Sequence, residues 1–188
     1  KNGLSPVRLA IIGTVIGTFL SSIASAIAMY YQVSQTVAVW YNTKVQSVDP
    51  AMLALSIPFG MVGIALAIMS ARAITITSLG EDIAIGLGQK TKAVRFLSMF
   101  SVVLLTGTAV ALVGKIAFVG LVIPHVVRFL VGEDYRFIIP CALLVGAFFL
   151  SLCDLISRYV NFPFETPIGV ITAIIGVPFF LYLVRTRG

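Results

Sequence analysis

Charged residues divide this chain into long apolar stretches. Uncharged runs cover residues 9–43, 50–71, 96–114 and 166–184, and two shorter ones cover 116–127 and 137–153. A helix rising about 1.5 Å per residue needs roughly 20 mainly apolar residues to cross a bilayer core about 30 Å thick. The pattern therefore predicts an all-α integral membrane protein, a polytopic helical bundle with spans near 9–31, 51–71, 96–113, 116–131, 137–156 and 168–184. An even number of crossings leaves both ends of the stretch on one side. Between the spans, residues 32–50 read as an outer segment with a short interfacial helix, because the amphipathic rings of Trp40 and Tyr41 suit the headgroup layer. Residues 72–95 read as the longest inner loop, 132–136 as a compact inner turn, and 161–167 as the last outer loop.

Composition makes lipid the solvent. With 59% hydrophobic and 11% charged residues, the chain holds more apolar surface than one water-soluble core of 188 residues could bury. The net charge of +6 would suggest nucleic acid in a soluble domain, but its distribution points elsewhere. With cytoplasmic ends, Lys1, Arg8, Arg72, Lys90, Lys92, Arg95, Arg128, Arg136, Arg185 and Arg187 lie inside, and only Lys44, Lys115 and Arg158 lie outside. That asymmetry obeys the positive-inside rule, so both ends are expected in the cytoplasm and no nucleic-acid partner is expected. The opening Lys1-Asn2-Gly3 has neither an initiator Met nor a signal peptide, which suggests a piece of a longer chain. Cys141 and Cys153 fall on one predicted helix about 18 Å apart, too far for a disulfide, and read as packing residues.

Local signals refine the picture. Small residues at Gly13, Gly17, Ser21, Ser22 and Ser25 make a seam on the first span where another helix can approach closely. In the inner loop, Gly80-Glu81-Asp82 opens a stretch whose Ile83, Ile85 and Leu87 are apolar, followed by basic residues, as the helix dipole favours. Two readings fit this loop helix: it docks on a soluble partner, or it lies back against the bundle. Pro124 interrupts the fourth span directly before His125, the single histidine, which reads as a capping or packing residue. Gly169, Gly176 and Pro178 interrupt the last span. Pro124, Gly169 and Pro178 fit a gated pathway that needs irregular backbone, and equally fit plain kinks. Asp154 and Arg158 sit four apart near the outer end of the fifth span.

Enzyme chemistry has no foothold in these residues. A nucleotide-binding loop needs G-x-x-x-x-G-K-[ST] so that backbone amides wrap the phosphates and the lysine reaches them. Gly114-Lys115-Ile116 lacks the spacing and the hydroxyl, and Gly86-Leu87-Gly88-Gln89-Lys90-Thr91 sets its glycines too close. There is no H-E-x-x-H, no G-x-S-x-G and no Cys/His cluster, so neither a catalytic residue nor a metal or cofactor site is expected. A secondary transporter or channel could share the hydropathy, but such proteins usually place ionisable coupling residues at mid-membrane, and these spans have almost none.

Several stretches resemble the FecCD-type permeases, the iron-siderophore and vitamin B12 importers of the ATP-binding-cassette class. They are Ser78-Leu79-Gly80-Glu81-Asp82 through Gly86-Leu87-Gly88; Phe118 to His125 with Arg128; Leu130-Val131-Gly132 with Asp134 and Arg136; and Pro167-Ile168-Gly169-Val170 through Phe180. Gly3-Leu4-Ser5-Pro6 and the Asp154/Arg158 pair fit in order and spacing, and residues 32–50 match least.

The resemblance implies a permease of the vitamin B12/siderophore importer type with about ten helices per subunit, of which this stretch is the last six. It implies a bacterial cytoplasmic-membrane location, a second permease subunit, an extracytoplasmic substrate-binding protein and a cytoplasmic ATPase dimer. ATP hydrolysis would belong to that ATPase, which would drive alternating access of a path for ferric siderophore, haem or cobalamin. Residues 79–89 would be the coupling helices, with Gly80, Glu81, Asp82, Ile83, Gly86, Leu87 and Gly88 set on the ATPase. Arg158 would meet an acidic residue of the binding protein, while an i,i+4 pair with Asp154 is the local alternative.

Overall fold

The computed structural model describes the backbone of residues 6–41, 48–160 and 166–187. The predicted turn at residues 3–5, Lys44, residues 161–165 and the side chains of Trp40 and Tyr41 lie outside what it describes. The described residues form helices and no strand. They fall into two compact units, residues 1–41 and 42–188.

The first unit holds α1 (Pro6–Tyr30) and α2 (Ser34–Tyr41). Between them Gln32 takes a left-handed conformation (φ 57°), and Val33 N–H donates to Ala28 O while Gln32 N–H donates to Met29 O. These two bonds are a Schellman closure, which satisfies carbonyls that the helix end would leave bare. A Cβ added at Gly13 or Gly17 would meet nothing within 4 Å. The hydroxyls of Thr18, Ser22 and Ser25 donate to carbonyls one turn back on the same helix.

The second unit is built on α3 (Pro50–Ser78) and α5 (Thr91–Val113), joined by the short α4 (Glu81–Gly86). Gly63 faces Ser101 and Leu105, whereas Ala73 faces Gln89, so α3 and α5 run antiparallel. The Ser101 hydroxyl donates to Gly63 O at 2.8 Å, an approach that the missing side chain of Gly63 permits. In lipid, where apolar burial drives little, small residues and such interhelical bonds, worth about 0.6 kcal/mol each on average, hold helices together.

Helix α6 (Val119–Val131) turns at Gly132 into α7 (Tyr135–Tyr159), and α8 (Ile168–Arg187) follows. Ile123, Val127 and Ile138 form the buried seam of α6 with α7, and Cys153, Ile168 and Ile171 form that of α7 with α8. Phe149 packs against both seams. Phe118, at the start of α6, is left-handed (φ 66°), and a Cβ at Gly176 of α8 would collide with it, which explains one glycine of the interrupted last helix.

By length and composition α1, α3, α5 and α7 can cross a membrane, while α6 and, over Ile168–Leu181, α8 are shorter apolar helices. At 13 residues α6 is only about 20 Å long. Large apolar side chains stand exposed along the long helices, among them Met69, Phe96, Leu144 and Phe148. That arrangement suits lipid as solvent and would aggregate in water.

The inner loop expected at 72–95 is largely helix, since α3 continues to Ser78 and α5 already begins at Thr91. The polar run Thr75–Ser78 does not end α3 because its hydroxyls donate back to the helix's own carbonyls: Thr77 to Ala73 O and Ser78 to Thr75 O. At the other extreme, α6 starts three residues later than the sequence pattern suggests, because residues 114–118 are non-helical and lead into the left-handed Phe118.

Candidate functional site

Helix α4 is only six residues long, and glycines bound it at both ends. Gly80, at its N-cap, has φ 131° and ψ 143°, a region that a side chain essentially excludes. Gly88 has φ 76°, with its N–H donating to Ile85 O and that of Gln89 to Ala84 O, so the helix closes in a Schellman motif. Glu81 and Asp82 lie in the first turn, where the helix dipole favours acids, and Glu81 Oε2 stands 3.4 Å from Arg95 Nη2 on α5. That pair is more than half exposed at both partners and contributes little.

Only Ala84 of α4 is fully buried. Ile83 is 53% exposed, Ile85 56% and Leu87 67%. Ile83 and Leu87 are one turn apart and share a face, whereas Ile85 lies on another. A Cβ at Gly86 would meet nothing within 4 Å. The helix therefore stands proud of the bundle and presents bare apolar side chains beside charged ones.

A set of polar contacts frames it. The Gln89 side chain donates through Nε2 to Ala73 O of α3 at 2.9 Å. Its Oε1 is buried with no donor among the described residues, an arrangement that costs about 1–3 kcal/mol. Two residues along α3, Thr75 Oγ1 accepts the backbone N–H of Tyr135 at 3.0 Å. The same hydroxyl has one proton to share between Ala71 O at 2.9 Å and Asp134 Oδ1 at 3.2 Å. Asp134 caps α7 by accepting Arg136 N–H, and the Arg136 guanidinium donates to its Oδ2 through Nε at 2.9 Å and Nη2 at 2.7 Å. These bonds, led by those from Arg136, hold the Asp134 carboxyl down at about 2 from its ordinary 3.8. Arg128 Nη2 donates to the Tyr135 hydroxyl at 2.7 Å, and its guanidinium lies 5.6 Å from the ring centre. The C-terminal end of α3 thus holds the α4–α5 turn on one side and the α6–α7 turn on the other.

At the far end of α7, Arg158 Nε and Nη2 both donate to Asp154 Oδ2, at 2.9 and 2.6 Å. Pro124 lies inside α6, with His125 Nδ1 3.1 Å from Leu121 O, and Pro178 lies inside α8. Gly169 is the second residue of α8, where a Cβ would come 3.7 Å from Lys115 O. The structure thus gathers Gly80 to Gly88 into one surface, puts Arg158 at the opposite end of α7 from Asp134, and spreads Pro124, Gly169 and Pro178 over two helices. Thr75 and Gln89 were not singled out from sequence. Their partners are 60 and 16 residues away, and no spacing rule links them.

The sequence profile of the FecCD transport family matches residues 1–186. The iron-uptake system permease protein FeuB of Bacillus subtilis is 54% identical over 187 residues, covering all of this chain and 56% of FeuB. The iron(3+)-hydroxamate import system permease protein FhuB of the same organism is 50% identical, covering 98% of this chain and 48% of FhuB. The chain spans about half the length of these relatives. Among solved structures, an inward-facing conformation of a metal-chelate type ABC transporter superposes with a TM-score of 0.87 at 28% identity, over 97% of this chain and 60% of that one. With an all-helical membrane fold and a family match along nearly its whole length, this chain belongs to the FecCD transport family.

Proposed function

We propose that the chain is the C-terminal part of the permease subunit of an ATP-binding-cassette importer that takes up ferric siderophores. In this reading it sits in the bacterial cytoplasmic membrane with both ends of the stretch, α4 and the α6–α7 turn on the cytoplasmic side, and six of its helices enter the bilayer. It pairs with a second permease subunit, receives substrate from an extracytoplasmic binding protein and is driven by a cytoplasmic ATPase dimer. The permease supplies the path and its reorientation, and the ATPase supplies the hydrolysis.

The observation that carries this reading is α4. A short helix bounded by two positive-φ glycines, exposing Ile83 and Leu87 at the polar end of apolar helices, is shaped to sit in a groove of a soluble partner. Support for iron chelates comes from the functions named for the relatives, iron uptake and iron(3+)-hydroxamate import. Within the pathway, Pro124, Gly169 and Pro178 are proposed gating points, and Arg158 is proposed to dock the binding protein.

The decisive test uses the full-length permease. Replacing Glu81 and Leu87 together should release the ATPase while membrane insertion stays normal. Crosslinks from Leu87 that reach only the permease would contradict docking. Pro124→Ala should change uptake kinetics more than membrane level, and unchanged kinetics would remove Pro124 from the gate.

A further inference from the structure

Gln89 is the residue in which the α4 region, α5 and α3 meet. Its backbone N–H closes α4 on Ala84 O, its carbonyl accepts the N–H of Thr91 at the start of α5, and its side chain reaches Ala73 O of α3. Turning the amide over would set Oε1 against the Ala73 carbonyl, so the geometry fixes Nε2 as the atom that faces α3. A second side-chain tie near α4, from Glu81 to Arg95, is long and exposed, and it reaches α5 rather than α3. From Ala73, two residues along the same helix lead to Thr75 and so to the N–H of Tyr135 at the start of α7.

We propose that the Gln89 side chain is a positioning strut that converts displacement of α4 into displacement of α3, and through Thr75 of the α6–α7 turn. The proposal rests on the reading of α4 as the segment that docks on the ATPase. Without the strut, α4 can swing on Gly80 while the end of α3 stays behind, because Gly80 has the backbone freedom to serve as a hinge. Gln89 faces inward, away from Ile83 and Leu87, so its part is to transmit motion rather than to bind the ATPase.

The orphaned Oε1 makes a clean test available. Methionine has similar length and volume, and Gln89→Met removes the bond to Ala73 O and the unpaired buried oxygen together, so the fold should survive. The full-length permease, its ATPase and its binding protein are reconstituted in proteoliposomes, with a substrate found for the wild type from a panel of hydroxamate and catecholate iron chelates. For Gln89→Met, chelate moved per ATP hydrolysed should fall about threefold or more, the range expected when one link of a coupling network is cut. The ATPase should still co-purify, and the thermal midpoint should barely move. Thr75→Val should lower the same ratio, and the double variant should be no worse than the poorer single one, since both lie on one route. An unchanged ratio in Gln89→Met, or loss of the ATPase from that complex, overturns the strut. Failure of the wild-type permease to retain its ATPase would instead bring down the docking reading itself.

Discussion

Helix α7 carries an acid and an arginine at each end, and their surroundings separate their roles. At its start, Asp134 caps the helix, pairs with Arg136 and lies against Thr75 of α3, whose hydroxyl also accepts the N–H of Tyr135. At its finish, Asp154 and Arg158 bond each other through a single carboxylate oxygen, and both belong to the same helix. The first pair is tied into tertiary structure. The second is a local i,i+4 pair whose guanidinium, with a side chain 45% exposed, keeps donors for another molecule. Exposure does not separate the two ends, since the Arg136 side chain is 51% exposed; what differs is whether a second helix supplies a partner, as Thr75 of α3 does for Asp134 alone.

Substitutions separate the two ends of α7. The largest stability effect is expected for Asp134→Ala, which removes the cap, the pair with Arg136 and the contact with Thr75 at once. The thermal midpoint of the detergent-solubilised permease should fall by several degrees, and a midpoint equal to wild type would contradict the joint. Next comes Thr75→Val, which strands the Tyr135 N–H without its acceptor and should cost about 1–3 kcal/mol in denaturant unfolding.

Acid sharpens the contrast. Because folding lowers the Asp134 pKa from 3.8 to about 2, its stabilisation is fully present above about pH 4 and is lost as pH falls through 2. Melting curves between pH 5 and pH 2 should therefore decline less steeply for Asp134→Asn than for wild type. Parallel declines would mean that other carboxylates set the acid limit.

The smallest stability effect is expected at the other end, where Asp154→Ala should cost about 0.3–0.5 kcal/mol, the usual worth of an exposed i,i+4 pair. Function should reverse that ranking. Arg158→Glu should slow association with the binding protein, most at low salt, and a reversed charge on the binding protein should partly restore it. Binding measured at low ionic strength with no change in rate would leave Arg158 as a helix-surface partner of Asp154.

The sequence made some of this legible and hid the rest for physical reasons. Apolar runs located the helices because lipid demands length and hydrophobicity and little else. Their ends were less readable. Thr77 and Ser78 look like loop residues but bond to their own helix, so α3 extends past Ala71, and the left-handed Phe118 delays α6. Gly80, Gly88 and the acids between them announced α4 because they are local chemistry. The pair Asp154/Arg158 was visible for the same reason. The frame around α4 was not, since Gln89 to Ala73 and Thr75 to Tyr135 are contacts made only once the helices have packed. Gly176 was noted as an interruption of its helix, and only the structure shows Phe118 filling the space beside it.

Dependence of uptake on an ATPase acting through α4 is what separates the proposed permease from other transporters. It is tested most directly by uptake of iron-labelled siderophore into cells that carry the full-length permease with its binding protein and either an active or a hydrolysis-dead ATPase. Uptake is expected with the active ATPase, none above background with the dead one, and the same loss when Glu81 and Leu87 are replaced beside an active ATPase. Uptake that persists with the dead ATPase would contradict it and would make the chain part of a transporter driven by some other gradient.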